Sequence, residues 1–345
     1  MEGFFHSHRV YRRLVTAAVV TGWLAVAGGT ASAADAPGLL SETRRLMGVP
    51  WTITVSSPDA ALGRQAIAAA FAEIARVERV LSDYDAESEL SRLATRAAQS
   101  EPISVSDDLW RVLVAAEEFR RRTDGGFDIT VGPLTSLWRQ SRRSGRLPRA
   151  DKLAAARAAV GSGTIELLPE RQAVRLPKPG TRLDPGGIGM GYAADRAIDR
   201  LESLGIAAAL IDASGDVVVS GPPPGSPGWR IQVAPLEPGG EAETLVLSHA
   251  AVTTSGDAYQ AVTIDGTRYS HIVDPRTGLG VPGPAAVTVI AADATTADAL
   301  ATAASVLGPD AASAVIATYP ETSARFVWRT EGGIRTSTTG PWPGP

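Results

Sequence analysis

LDPGGIGMGYAAD, residues 183–195, places four glycines (186, 187, 189 and 191) between two aspartates and runs on into RAIDRLESLG, residues 196–205. From Ala193 to Leu204 the apolar residues recur at helical spacing, and Gly205 ends the run. A glycine-rich turn feeding a helix lets backbone approach another group closely and presents the positive helix end to it, an arrangement that suits phosphate or pyrophosphate. The GxGxxG spacing of dinucleotide-binding folds is missing and no clean βαβ unit surrounds the stretch. Read alone, it is equally a tight strand-to-helix turn.

Working outward, 207–212 and 217–219 read as apolar strands, 221–228 (GPPPGSPG) as a loop, and 229–234, 244–248, 260–264 and 287–291 as further strands. On the N-terminal side, 50–55 alternates like a strand, and 165–168 and 173–176 are short strands. Helical spacing marks 59–81 with Asp59 as its cap, 106–122 with Ser106 as its cap, 151–160 and 294–307. A last strand is expected at 325–328, a loose lead-in at 34–48 and a loose tail from 336. Strands and helices mix without strict alternation, which predicts an α+β or mixed α/β architecture in a single large domain over 34–335.

The chain has 345 residues, 44% hydrophobic and 20% charged, with a net charge of -4, a composition that fits a globular protein and gives no reason to expect nucleic-acid binding. Arg9, Arg12 and Arg13 precede an apolar run at 14–29 and a small-x-small site at Ala31-Ser32-Ala33, so 1–33 reads as a cleaved signal peptide and the mature chain starts at Ala34. The run is shorter than the ~20 residues of a membrane span, so no stable span is expected after cleavage. Arg12-Arg13 leaves the Tat route open beside Sec. With no cysteine there is no lipid-anchor site, disulfide or thiolate chemistry, and the expected location is periplasmic or otherwise extracytoplasmic and soluble.

Three more stretches carry candidate chemistry. In RYSHIVDPRTG (268–278) a histidine, His271, stands three residues before Asp274 on a turn that ends at Gly278. The pair can act as base and orienting group, or His271 can simply cap the turn. In TTADALATAAS (295–305) Asp298 and Thr302 are one turn apart on an otherwise small, apolar face. Carboxylate and hydroxyl are hard oxygen donors suited to Mg²⁺ and not to zinc. The bland alternative is an ordinary aspartate near a helix start. In GGFDITVGPL (125–134) Gly126, Phe127 and Asp128 precede a strand-like run and can hold a ring and its amide edge, or form only a turn.

In this order the stretches resemble the ApbE family, the FAD:protein FMN transferases, from about Thr43 to about Leu307. The matching pieces are TRRLMGVPWTI (43–53), LSDYDAESELSRL (81–93), GGFDITVGPL, LDPGGIGMGYAADRA (183–197), ASGDVVVSG (213–221), TTSGDAYQ (253–260), RYSHIVDPRTG and ADALATA (297–303). The resemblance implies a T-fold-like core and an exported enzyme that binds FAD and Mg²⁺. Such an enzyme moves FMN to a threonine or serine hydroxyl of an acceptor protein and releases AMP. The implied acceptor is a subunit of a membrane redox complex.

By the same resemblance Met47, Tyr84, Gly126, Phe127, Asp128, Asp184, Met190, Ser270 and Ile272 contact FAD. Gly187 ligates the metal through its carbonyl, Asp298 and Thr302 through their side chains, and His271 with Asp274 serves catalysis. The sequence departs from the family at Met190, where lysine is usual, and at Ala94, where asparagine is usual. A methionine cannot neutralise phosphate charge as a lysine does. FAD hydrolysis to FMN and AMP, and flavin binding without transfer, are therefore the rival readings.

Overall fold

The computed structural model describes residues 38–99, 101–233, 235–236, 242–256, 260–283 and 285–343. The expected signal peptide, 1–33, and residues 257–259 of TTSGDAYQ lie outside them.

The chain opens with a hairpin, β1 (Leu39–Leu46) and β2 (Val49–Ser56), in the segment expected as a loose lead-in. Its two-residue loop, Met47-Gly48, has φ of 48° and 80°, the left-handed pair that matches the twist of a tight hairpin. Trp51, Ile53 and Val55 alternate inward from β2 and are fully buried. Helix α1 (Ala60–Leu81) starts where expected, with the Asp59 carboxylate accepting from the N–H groups of Ala61 and Leu62. A short α2 (Glu89–Thr95) and a two-residue β3 (Ile103–Ser104) precede α3 (Asp107–Arg122), capped by Ser106 as expected.

The strand-like run at 128–131 is not a strand. Asp128 Oδ1 accepts from both the N–H and the hydroxyl of Thr130, which curls the backbone, and Pro133 then starts α4 (Gly132–Ser144). Next come α5 (Ala150–Ala158), β4 (Glu166–Leu168) and β5 (Ala173–Arg175), which with β3 make a small sheet ordered β3-β5-β4.

Helix α6 runs Gly189–Ser203, four residues earlier than its apolar periodicity predicts, because its glycine turn is already helical. Then follow β6 (Ala208–Ala213), β7 (Asp216–Val219), the hairpin β8 (Trp229–Val233) with β9 (Glu243–Leu247), and β10 (Ala250–Gly256). A three-stranded sheet, β11 (Ala261–Ile264), β12 (Thr267–Val273) and β13 (Gly280–Pro282), leads to β14 (Ala285–Ala291). Helices α7 (Ala294–Leu307) and α8 (Pro309–Ile316) and strands β15 (Ser323–Thr330) and β16 (Gly333–Thr339) complete the chain. The tail expected to be loose from 336 is thus in strand as far as Thr339, paired with β15.

The large sheet has the order β1-β2-β6-β7-β10-β14-β15-β16, every pair antiparallel. Helices α1, α6 and α7 cover one face and make the main core with it. The β8–β9 hairpin covers part of the other face through Trp229, Ile231 and Leu245. Helix α7 is buried nearly all round and built largely of alanine, as a helix wedged between a sheet and a second helix requires. Its one buried acid is Asp298. Fold class and single-domain architecture agree with the mixed α/β expectation.

Candidate active site

The loop 184–191 is the hub. Asp184 stands at its start, with Oδ1 accepting from Gly186 N–H at 2.9 Å. Its Oδ2 accepts from the Thr135 hydroxyl at 2.6 Å and from the Arg139 guanidinium at 3.1 Å, both on α4. Arg139 also donates to Asp83 at 2.8 Å and lies 4.7 Å over the Tyr84 ring. Tyr84 is 80% exposed, so its other face is open for a second flat group. Burial, then the Asp184 charge, raises the pKa of Asp83, while Arg139 opposes.

The glycines have different partners. A Cβ on Gly189 would lie 3.7 Å from Leu81, so the end of α1 meets the start of α6. A Cβ on Gly187 would lie 2.7 Å from the Thr302 hydroxyl, so that backbone stands directly against α7. At Gly191 a Cβ would lie 2.2 Å from the Ala294 carbonyl oxygen, and the two helices cross with no room between them. Gly191 N–H donates to Asp298 Oδ2 at 3.2 Å. The first turn of α6 has no side-chain cap, which leaves its positive end facing the site.

Asp298, Thr302 and Gly187 therefore meet. Burial holds Asp298 well above the ordinary carboxylate range, and the Asp216 and Asp195 charges add to that, while only the Gly191 N–H opposes. Asp216 is pushed up to about 7, first by burial and then by Asp212. Asp195, at the other end of the glycine stretch, accepts from Ala294 N–H at 2.7 Å, Thr295 N–H at 2.8 Å and the Thr295 hydroxyl at 2.5 Å. It caps α7 from α6, and burial outweighs those bonds to push it up to about 6. Acids crowded so that they resist ionising together are what a bound cation relieves. Among the described residues no three His, Cys, Asp or Glu side chains form a metal-binding group by themselves, so a cation here needs a mixed oxygen set.

The flavin-side stretch sits on β12. Its pairing with β13 jumps from Tyr269↔Pro282 to Val273↔Gly280, so four steps on β12 span two on β13 and Ser270–Ile272 bulge. Trp138 of α4 donates to the Ser270 carbonyl at 2.9 Å, joining the bulge to the helix that holds Asp184. Ser270 and Ile272 border a small cavity with Gly256 and Ser305, the latter on α7. His271 is half-buried between them.

The ApbE family model matches residues 47–326. The chain belongs to the ApbE family. An FAD:protein FMN transferase of Klebsiella pneumoniae (strain 342) is 30% identical over 279 residues, 79% of this chain and 79% of that protein. Two solved relatives share the fold. The Pseudomonas stutzeri flavinyl transferase ApbE, apo form, is 30% identical with a TM-score of 0.77 over 87% of this chain and 94% of its own. The flavin transferase ApbE of Vibrio cholerae is 28% identical with a TM-score of 0.78 over 87% and 97%.

Within this ApbE-family site the expected residues divide into groups. Met47 is at the β1–β2 tip, where Glu78 of α1 accepts its N–H at 2.8 Å. Phe127, 3% exposed, packs edge-on against Phe119 at 6.0 Å, so its ring is part of the core. A Cβ on Gly126 would lie 2.7 Å from Leu307, and the buried Asp128 spends Oδ1 on Thr130. These three build the turn that sets α4. Asp274 is forked by Arg276 at 2.9 and 3.1 Å and shapes its own turn. Met190 packs partly buried against the main core.

Sequence reasoning gave no role to Asp195, Asp216, Arg139, Asp83 or Thr135. Asp195 and Asp216 lay inside quoted stretches, and their buried setting was the missing signal. Arg139 sits on a helix the sequence reading did not contain.

Proposed function

We propose that the chain transfers FMN from FAD to a threonine or serine hydroxyl of an acceptor protein and releases AMP, with Mg²⁺ as cofactor. The single observation that carries this is the meeting of Gly187, Asp298 and Thr302 beside the uncapped start of α6. One hard carboxylate, a hydroxyl and the Gly187 carbonyl are the donors that would hold Mg²⁺. When bound, that ion supplies charge neutralisation at the pyrophosphate.

The protein residues do the rest. The positive end of the α6 dipole attracts the phosphate oxygens, and the glycines of 186–191 let this turn sit tightly against α7 and its oxygen donors. Tyr84, backed by Arg139, stacks on one ring of FAD. His271 takes the proton of the acceptor hydroxyl, whose oxygen bonds to the FMN-side phosphorus while the anhydride bond to AMP breaks and AMP leaves with the electron pair. Asp274, already bound by Arg276, holds the turn that carries His271. Export to the periplasm through the segment 1–33 and an acceptor in a membrane redox complex complete the reading.

The second reading is a flavin binder without transfer. It is favoured by Met190, which brings no charge to the first turn of α6. Chromatography of AMP separates the readings: AMP that forms only with acceptor protein supports transfer, AMP without acceptor supports hydrolysis, and bound FAD with no AMP supports the binder.

A further inference from the structure

A broad groove lies away from the site just described, on the outer side of the α1–α6 pair. It is an open groove of about 540 Å³ lined by Glu73, Arg76, Arg79, Arg196, Asp199 and Arg200. Four cations face two acids there, on a chain whose net charge is -4.

The cations are not equivalent. Arg76 is locked: Glu73 holds it at 2.6 and 3.0 Å from one side, and the buried Asp108 holds it from beneath. Asp108 is fixed in turn by the Tyr192 hydroxyl at 2.7 Å. The bond from Arg76 depresses the pKa of both acids, so this floor is ionised and rigid. Arg196 pairs with Asp199 at 2.7 Å. Arg79 and Arg200 have no acid partner among the described residues, and both are exposed on the rim. The groove thus holds one cation braced from below, Arg76, one paired along its own helix, Arg196, and two exposed on the rim, Arg79 and Arg200. Guanidinium groups match carboxylates with two parallel N–H donors, so several along one groove favour an acidic partner.

Its position bears on the substrate. Leu81 meets Gly189, so α1 and α6 run antiparallel away from the site. At 1.5 Å per residue Arg196 lies about 10 Å, and Arg200 about 16 Å, along α6 from the glycine turn. That is too far for the FAD pyrophosphate and within reach of a protein chain whose hydroxyl enters the site. A groove open along its length fits an extended segment and not a small enclosed ligand.

We propose that the α1–α6 groove docks an acidic segment of the acceptor protein, flanking the residue that is modified. The proposal rests on the transferase reading for the identity of the partner. No bond is made or broken in the groove. It supplies binding energy and steering only, so its loss acts on acceptor KM and leaves FAD binding alone.

The test uses the chain from Ala34 and the double variant Arg79→Glu/Arg200→Glu, with Arg121→Glu/Arg149→Glu as an equally charged control elsewhere on the surface. Thermal melts first establish that all three are folded. Two readouts follow: acceptor KM beside the FAD dissociation constant, and fluorescence anisotropy of a fluorescein-labelled Asp/Glu-rich octapeptide at low and high salt. The expected result is an acceptor KM raised tenfold or more with FAD binding unchanged, peptide affinity down by a similar factor, and a shallower salt dependence, none of it in the control. An acceptor KM and peptide affinity equal to wild type would overturn the groove while transfer stands. If wild type transfers nothing, the transferase reading fails and the peptide titration decides the groove: equal affinity in wild type and variant overturns it, and a tenfold loss in the variant alone supports an acidic partner.

Discussion

Gly191→Ala is the smallest perturbation that tests the packing on which the site depends. The added methyl would lie 2.2 Å from the Ala294 carbonyl oxygen, 2.6 Å from its carbon and 2.9 Å from Thr295 N. All three atoms are backbone, so no rotamer change relieves the clash. Helix α7 cannot slide freely either, because Asp195 pins its first turn by three hydrogen bonds. Alanine would normally favour a helix over glycine by about 1 kcal/mol, whereas overpacking of a tight interface costs about 1–3 kcal/mol or more. A contact this short belongs at or beyond the upper end, which leaves a net loss of about 2 kcal/mol or more. The same separation of α6 from α7 lengthens the Gly191 N–H bond to Asp298, so FAD and cation binding weaken along with stability. Urea unfolding, with the m-value compared, measures the first effect, and titration of flavin fluorescence measures the second. A variant as stable as wild type, or more stable, refutes the helix contact and with it the placement of Asp298.

Further outcomes follow from other residues. Asp298→Asn keeps the shape but has no carboxylate for a cation to draw out, so added Mg²⁺ is expected to stop raising the Tm of the apo chain and turnover to fall at least 100-fold, read by thermal melts and AMP release. Arg139→Gln strands Asp83 and Asp184 and removes the support beneath Tyr84, so FAD affinity drops by about tenfold, as measured by ultrafiltration, at a stability cost of about 1–3 kcal/mol. Asp195 has a folded pKa of about 6 against an ordinary value of 3.8. A raised acid contributes stability below its unfolded pKa and loses it as pH rises through the folded one. The stability advantage of wild type over Asp195→Asn therefore shrinks between pH 4 and pH 8, by up to about 3 kcal/mol, and a gap constant with pH in urea unfolding would refute this.

Helices α1 and α3 were legible because apolar periodicity and a capping residue, Asp59 or Ser106, agree at each start. Helix α4 was not. Ile129, Thr130 and Val131 have strand propensity, and the side-chain bonds from Thr130 to Asp128 that override it are invisible in a pattern of apolar residues. Strand β16 was missed for a related reason: GIRTSTT has no buried face of its own and becomes a strand by pairing with β15.

In the site, Asp298 stood out as an acid on an alanine face, and its burial bears that oddity out. The Arg139 bridge did not stand out, because it joins residues 56 and 45 positions apart through a helix the sequence hid. Phe127 shows a different limit. A motif position was legible, but what the side chain does there, packing on Phe119, depended on the core.

The most direct test of the central claim is a denaturing gel. A chain beginning at Ala34, FAD and Mg²⁺ are mixed with an acceptor domain carrying an accessible threonine motif, with and without EDTA, and the gel is viewed under ultraviolet light. The account predicts a fluorescent acceptor band that EDTA abolishes and that the threonine-to-alanine acceptor lacks. FAD bound tightly with no fluorescent band, or a band indifferent to EDTA, would contradict it.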